Sequence, residues 1–318
     1  MAPTLPAPDL VERFRTDLEA LRPSPGLLGV AYSGGPDSLA LLLLGAAAWR
    51  GAVRAATVDH RLRPGSAQEA ALAGRNCAAL GIPHQVLTVS VPEGASRQAR
   101  AREARYAALA EWMNASRIPT LLTAHHLDDQ AETLMMRLLR GSGVGGLAGI
   151  RARRRLEGQM VLRPLLAWRR STLAQVAAAS GLEIAQDPTN QNSAHDRVRI
   201  RKLLAGAVWL DPEPLARSAA ALADAEDALE ILAARHFAEE AEERGDGLLV
   251  KAAQHPPEIA RRLLLKALAR FAPDAEPRGE QVMALLKTLQ AGGTATLAGV
   301  KFVAAAEGWS ITPAPPRR

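Results

Sequence analysis

Two stretches of the chain carry the residue types that phosphate and acid–base chemistry need. The first, Ser33-Gly34-Gly35-Pro36-Asp37-Ser38, sets two glycines and two hydroxyls around a carboxylate, between an apolar run and a helical one. Backbone amides at such a turn can converge with a helix N-terminus on a phosphate. A Walker A loop is excluded because it needs a lysine, and the first lysine in the chain is Lys202. The alternative is a tight strand-to-helix turn in which glycine supplies unusual dihedrals and Ser38 caps the helix. The second stretch, AHHLDDQAET from Ala124 to Thr133, opens a helix. Asp129 and Glu132, three apart, share one helix face and could together pair with a cation and accept its proton. Adjacent His125 and His126 project to different faces, which disfavours a transition-metal site using both, and Asp128 reads as a helix-capping acid.

Arginine is the other conspicuous feature. Arg140 to Ile150 holds Gly141, Gly143, Gly145, Gly146 and Gly149 and reads as a flexible loop able to close on a ligand. Arg137 and Arg140 flank it, and Arg151, Arg153, Arg154 and Arg155 follow. These, with Arg97, Arg100, Arg197, Arg199 and Arg201, are expected either to contact RNA phosphates or to form a solvated surface.

The elements that must position these residues are legible from periodicity. Leu27–Tyr32, Val53–Asp59, Gln85–Ser90 and Thr120–Thr123 read as strands, with helices at Ser66–Leu80 and Ser96–Asn114. Alternating strands and helices imply an α/β fold on a parallel sheet, whose ligands bind at the carboxyl ends of strands. Ser33, Asp59 and His125 follow directly on those ends, and the same placement draws His60 and Arg63 toward a nucleotide, with plain surface placement as the alternative. After about residue 205 the pattern becomes helical: one long helix over Pro212–Arg244, a turn at Gly245–Gly247, and helices at Pro257–Phe271 and Pro277–Gln290. The Gly-punctuated tail alternates as a small antiparallel sheet. We therefore expect two domains, residues 1–205 and a smaller, mainly helical 206–318.

With 318 residues, 48% of them hydrophobic, the chain can bury two cores. No apolar run reaches the roughly 18 residues of a membrane span, no secretory leader is evident, and Cys77 is the only cysteine. A cytoplasmic enzyme is expected. A single thiol also excludes a cysteine-built zinc or iron–sulfur centre. Residues 1–201 contain 25 Arg and no Lys against 17 acids, a net +8, whereas 202–318 carry −2, for +6 overall. The basic part suits a polyanionic partner. That reading is favoured over Arg-rich and Ala-rich usage that merely reflects nucleotide composition.

SGGPDS in this position resembles the pyrophosphate-binding loop of the N-type ATP pyrophosphatases, the PP-loop family. VDHRLRPGS (58–66), ARYAAL (104–109), AHHLDDQAET, RLLRGSGVGGLAGI (137–150), LRPLL (162–166) and DPTNQNSAHDRVRIR (187–201) resemble its tRNA(Ile)-lysidine synthase branch over almost all of the first 201 residues. Val198 departs from that pattern, which has Asn there. The C-terminal part resembles only loosely the helical tRNA-binding domain of the shorter members. The resemblance implies an adenine nucleotide alpha-hydrolase-like fold. It implies attack of a cytidine C2 oxygen on ATP, at the first position of the CAU anticodon of an isoleucine tRNA, then displacement of AMP by free L-lysine. ATP contacts would fall to Ser33, Gly34, Gly35, Pro36, Asp37, Ser38, His60 and Arg63. Lysine contacts would fall to Arg105, Asp129 and Glu132, and tRNA contacts to Arg140, Arg151, Arg197 and Arg201. Asp37, Asp129 and Glu132 are the expected catalytic residues, and whether Asp37 serves Mg²⁺ or the cytidine stays open. A tRNA 2-thiolation enzyme of the same family would often need a pair of cysteines, which the chain lacks. A non-catalytic RNA-binding protein is disfavoured by the complete set of loop residues.

Overall fold

The computed structural model describes residues 3–21, 26–61, 65–90, 97–185, 196–207, 209–251 and 254–315. Helix α1 (Pro8–Leu21) precedes strand β1 (Leu28–Ala31), which feeds α2 (Pro36–Ala48) through the glycine-rich turn. β2 (Val53–Asp59), α3 (Ser66–Ala79), β3 (His84–Thr88), α4 (Arg97–Ala115) and β4 (Thr120–Leu122) continue the alternation. α5 (Leu127–Leu138), the single turn α6 (Val144–Leu147), the hairpin β5 (Arg153–Leu156) and β6 (Gln159–Leu162), α7 (Arg170–Ala179) and α8 (Asp196–Gly206) follow. The sheet order is β3-β2-β1-β4-β6-β5, parallel except for the edge strand β5. Chain order reverses between β1 and β4, so the crevice beyond their carboxyl ends is the topological switch point.

Helix α2 shows why the sheet can be covered on this face. Its sequence PDSLALLLLGAAA is apolar all round, and residues 38–45 are all buried, as a helix enclosed between layers must be. It packs with Leu28, Val30, Phe14, Leu18 and Trp168, and Trp168 Nε1 donates to Asp17 Oδ2 at 2.7 Å. On the opposite face Trp112 and Met113 of α4 join Leu121 and Val161. Gly29 permits that approach, since a Cβ there would stand 2.9 Å from the Trp112 ring. The arginines 153–155 occupy β5, where charged side chains blunt an exposed edge.

Helix α9 (Pro212–Glu240) leads into the hairpin β7 (Ala241–Arg244) and β8 (Gly247–Val250), then α10 (Pro257–Phe271), α11 (Gly279–Gln290) and strands β9 (Thr294–Leu297), β10 (Val300–Ala305) and β11 (Gly308–Pro313). The helix expected to reach Arg244 thus ends at Glu240. Residues 241–244 pair with β8 because Gly245, at φ 63°, closes a hairpin that buries Leu248, Leu249 and Val250. Tertiary burial overrides the helical preference of Ala-Glu-Glu-Arg here. The five strands form one antiparallel sheet, β7-β8-β11-β10-β9, around a core including Leu263, Leu264, Leu286, Phe302 and Trp309. Compactness divides the chain into Met1–Ala223 and Asp224–Arg318, a boundary inside α9. Among the described residues no helix is long and apolar enough to cross a membrane.

Candidate active site

The turn after β1 is knitted by the Ser38 hydroxyl. It accepts from the Ser33 amide at 3.2 Å, lies 3.0 Å from Ser33 Oγ, and donates to the Gly35 carbonyl at 3.0 Å. Gly34 takes φ 82°, a left-handed conformation that favours glycine, and its carbonyl accepts from the Ala185 amide. At the N-cap, Gly35 offers no side-chain acceptor to the first amides of α2, which stay available to an anion beside the partial positive charge of the helix end.

Across the switch point, α5 opens with a reciprocal cap. His126 Nδ1 accepts from the Asp129 amide at 3.3 Å, while Asp129 Oδ2 accepts from the His126 amide at 3.2 Å. The capping role expected of Asp128 therefore belongs to His126 and Asp129. Asp128 instead accepts from the Arg170 amide at 2.8 Å, at the start of α7. His126 Nε2 lies 3.5 Å from both Asp37 Oδ2 and Asp129 Oδ2. Burial alone would push the His126 pKa down, but the hydrogen bond to Asp37 and the charges of Asp129, Asp37 and Asp128 overcome it, and the net shift is upward. His125 faces the opposite field: burial, then Arg163, Arg105, Arg102 and Arg197, press its pKa well below the ordinary value. Its Nδ1 accepts from Arg163 Nε at 3.3 Å, which assigns the remaining proton of the neutral ring to Nε2.

A cleft of about 370 Å³ gathers Ser33, Gly35, Pro36, Asp37 and Ser38 with Arg105, His125, Asp129, Arg197 and Arg201. Among the described residues Asp37 Oδ1 is buried with no hydrogen-bond partner, as is His60 Nδ1 just after β2. Arg105 forms no salt bridge among the described residues, and burial presses its pKa down. A guanidinium in that state favours an anion in the cleft.

Glu132 is placed differently from Asp129. Its side chain is 2% exposed, Arg201 Nε and Nη2 donate to its two oxygens at 2.6 and 3.2 Å, and Arg197 Nε stands 3.1 Å away. Any ammonium reaching Glu132 must share it with both arginines, which project from one face of α8. Val198 is buried in that helix. Arg140 pairs with Asp196 at 2.9 Å on the surface, and Arg151 Nη1 donates to the Ala223 carbonyl at 3.0 Å, so neither lines the cleft. Arg63 lies outside the described residues. The glycine-rich segment is anchored: Arg137 Nη1 donates to the carbonyls of Gly146 and Gly149, and Gln130 Nε2 donates to that of Ile150. Its expected flexibility is thus curbed at the C-terminal end.

Residue type and spacing alone do not mark His126 and Arg163 as parts of this site, where the structure places them beside Asp37 and His125. The signal was the polar pair directly after a buried strand, but its meaning depends on contacts with Asp37 and Arg163 from other elements. Arg163 is 3% exposed and donates to the Arg151 carbonyl at 2.6 Å.

Residues 10–207 match the model of the PP-loop domain family. Curated tRNA(Ile)-lysidine synthases of Zymomonas mobilis and Novosphingobium aromaticivorans are 41% and 43% identical to the chain; each match spans 96% of it and 94% of the relative. Among solved structures, a U34-tRNA thiolase of Methanococcus maripaludis superposes with a TM-score of 0.57 at 16% identity, over 70% of this chain and 77% of its own. The last likeness shows the fold alone.

Proposed function

The chain belongs to the tRNA(Ile)-lysidine synthases of the PP-loop family, and from that premise we propose that it ligates L-lysine to the cytidine of a CAU anticodon in an isoleucine tRNA, consuming ATP. The observation that carries the reading is the single cleft in which the Ser33–Ser38 anion cradle faces Asp129 and Arg105. In the first step the cytidine C2 oxygen attacks the α-phosphorus, the bond to the β-phosphate oxygen breaks, and pyrophosphate leaves. Catalysis of such a transfer is mainly positioning and stabilisation of leaving-group charge. The Gly34 and Gly35 amides and the Ser33 and Ser38 hydroxyls supply it, and by the family resemblance His60 and Arg63 are assigned to ATP. Mg²⁺ fits the donor set, because the unpartnered Asp37 Oδ1 is a hard oxygen ligand at the cradle. When bound, the ion would offset phosphate charge.

In the second step the lysine side-chain nitrogen attacks C2, the C2–O bond breaks and AMP leaves. The amine, with an ordinary pKa of about 10.4, must first lose a proton. Asp129 is the carboxylate it meets in the cleft, and Glu132 joins it where Arg197 or Arg201 yields. Arg105 takes the lysine α-carboxylate, and Asp129 also reinforces the protonated state of His126 next to the adenylated base. The basic face with Arg140 and Arg151 approaches the tRNA backbone, and the C-terminal unit positions the tRNA by shape, its net charge being −2 over residues 202–318. A tRNA substrate and a single buried thiol support a cytoplasmic location. Lysine incorporation into isoleucine tRNA, measured beside tRNA-dependent pyrophosphate release, tests the reading. Pyrophosphate release without lysine transfer would move the assignment to another adenylating enzyme.

A further inference from the structure

Outside the cleft, the C-terminal unit holds a cluster with the donor types of a transition-metal site. His236 and Glu240 stand one turn apart on α9, and His255 precedes α10 by two residues. His236 Nδ1 lies 2.8 Å from one Glu240 oxygen, and His255 Nε2 lies 2.8 Å from the other. One ligand atom of each residue falls within 4.8 Å of the other two. The side chains are 27%, 23% and 14% exposed, enough burial to restrict rotamers and enough exposure for an ion to enter.

A plain hydrogen-bond network is the competing explanation. In it each neutral imidazole donates one N–H to a Glu240 oxygen, and the ring centroids stand 4.3 Å apart, so three side chains already converge on one point. Two neutral imidazoles and one carboxylate are also a ligand set suited to Zn²⁺. We propose that His236, Glu240 and His255 bind a borderline divalent transition-metal ion of the Zn²⁺ type. Tetrahedral bonds of about 2.0–2.1 Å separate ligand atoms by roughly 3.3 Å, and with one Glu240 oxygen as ligand the three ligand atoms already lie within 4.8 Å of one another, within reach of small side-chain rotations. Three protein ligands leave one position for water. The ion fastens the end of α9 to the entry of α10 across the β7–β8 hairpin, and its charge offsets the −2 of residues 202–318.

Full-length, tag-free protein stripped with a chelator and titrated with Zn²⁺ alone should bind one equivalent calorimetrically through this site. Co²⁺ should develop the d–d absorption of a tetrahedral complex. His255→Ala and Glu240→Gln should each weaken binding by at least the ~10–100-fold that loss of an outer-sphere partner costs, and abolish the rise in Tm that Zn²⁺ gives the wild type. Absence of saturable Zn²⁺ binding by the wild type overturns the proposal. So does unchanged affinity in a His236→Ala/His255→Ala double variant with wild-type circular dichroism, which would place the ion in the PP-loop cleft or elsewhere. Should the double variant fail to fold, Glu240→Gln, equal in volume, decides in the same way.

Discussion

His126 Nε2 stands 3.5 Å from Asp37 Oδ2, so the loop after β4 and the first turn of α2 meet across the switch point of the sheet. The contact leaves Asp37 with one oxygen toward a shared, upward-shifted imidazole and the other buried without a partner. A carboxylate divided in this way suits the role proposed for Asp37, toward a metal-bound phosphate or the base itself.

Asp37→Asn should therefore abolish tRNA-dependent pyrophosphate release while leaving the far-UV circular dichroism unchanged, because the charge and not the volume is removed. The same change deletes an upward influence on His126, whose imidazole resonances should titrate at lower pH by NMR. Wild-type pyrophosphate release in the variant would remove Asp37 from the chemistry.

The two histidines give opposite pH dependences. The folded pKa of His126 is raised, so its contribution is fully present below the ordinary value of about 6.5 and is lost as pH rises through the folded value. His125, pressed well below that value, adds no such term above about pH 6.5; it costs stability as pH falls from there, because the unfolded chain binds the proton first. His126→Gln should consequently lower Tm more at about pH 6 than at about pH 9. His125→Gln should flatten the acid-side loss. Equal Tm shifts at both pH values for His126→Gln would show that the aspartates do not hold its proton.

Much of this was legible beforehand because the informative signals are local. Val53–Asp59 and Pro257–Phe271 appear at their expected bounds, since an apolar run after a turn and a Pro-initiated amphipathic repeat each carry their own ends. The division of labour between Asp129 and Glu132 was not legible. Helical spacing puts both on one face, but only the packing of α8 against α5 gives Glu132 two guanidinium partners and leaves Asp129 in the cleft. His236, Glu240 and His255 likewise meet only because the chain turns back through β7 and β8.

Where the catalytic unit ends is testable by truncation. A cut near residue 205 would remove Leu210 and Leu215, which pack on Ala131, Ile200 and Leu204, and also the Ala223 carbonyl that holds Arg151. Protein ending at Ala223 should retain ATP binding and lose tRNA-dependent turnover, whereas protein ending at 205 should melt at lower temperature. Full turnover by the 1–223 protein would take the C-terminal unit out of tRNA positioning.

The proposed lysine pocket separates through its two acids. Asp129→Asn should raise the KM for lysine and slow lysine transfer while cytidine adenylation continues, so an adenylated tRNA accumulates. Loss of a hydrogen bond to a charged group, about 1.5–3 kcal/mol, corresponds to roughly a tenfold to hundredfold fall in the lysine-dependent rate. Glu132→Gln should do the same and also lower Tm, because it strips the buried counter-charge from Arg197 and Arg201. At about 2–4 °C per kcal/mol for a domain of this size, a 1.5–3 kcal/mol loss is readily measured by thermal melting. Rescue separates the roles within Glu132: if it serves lysine, excess lysine restores the rate without restoring Tm. If neither variant changes the lysine requirement, both acids leave the lysine site and Glu132 is a structural anchor for α8.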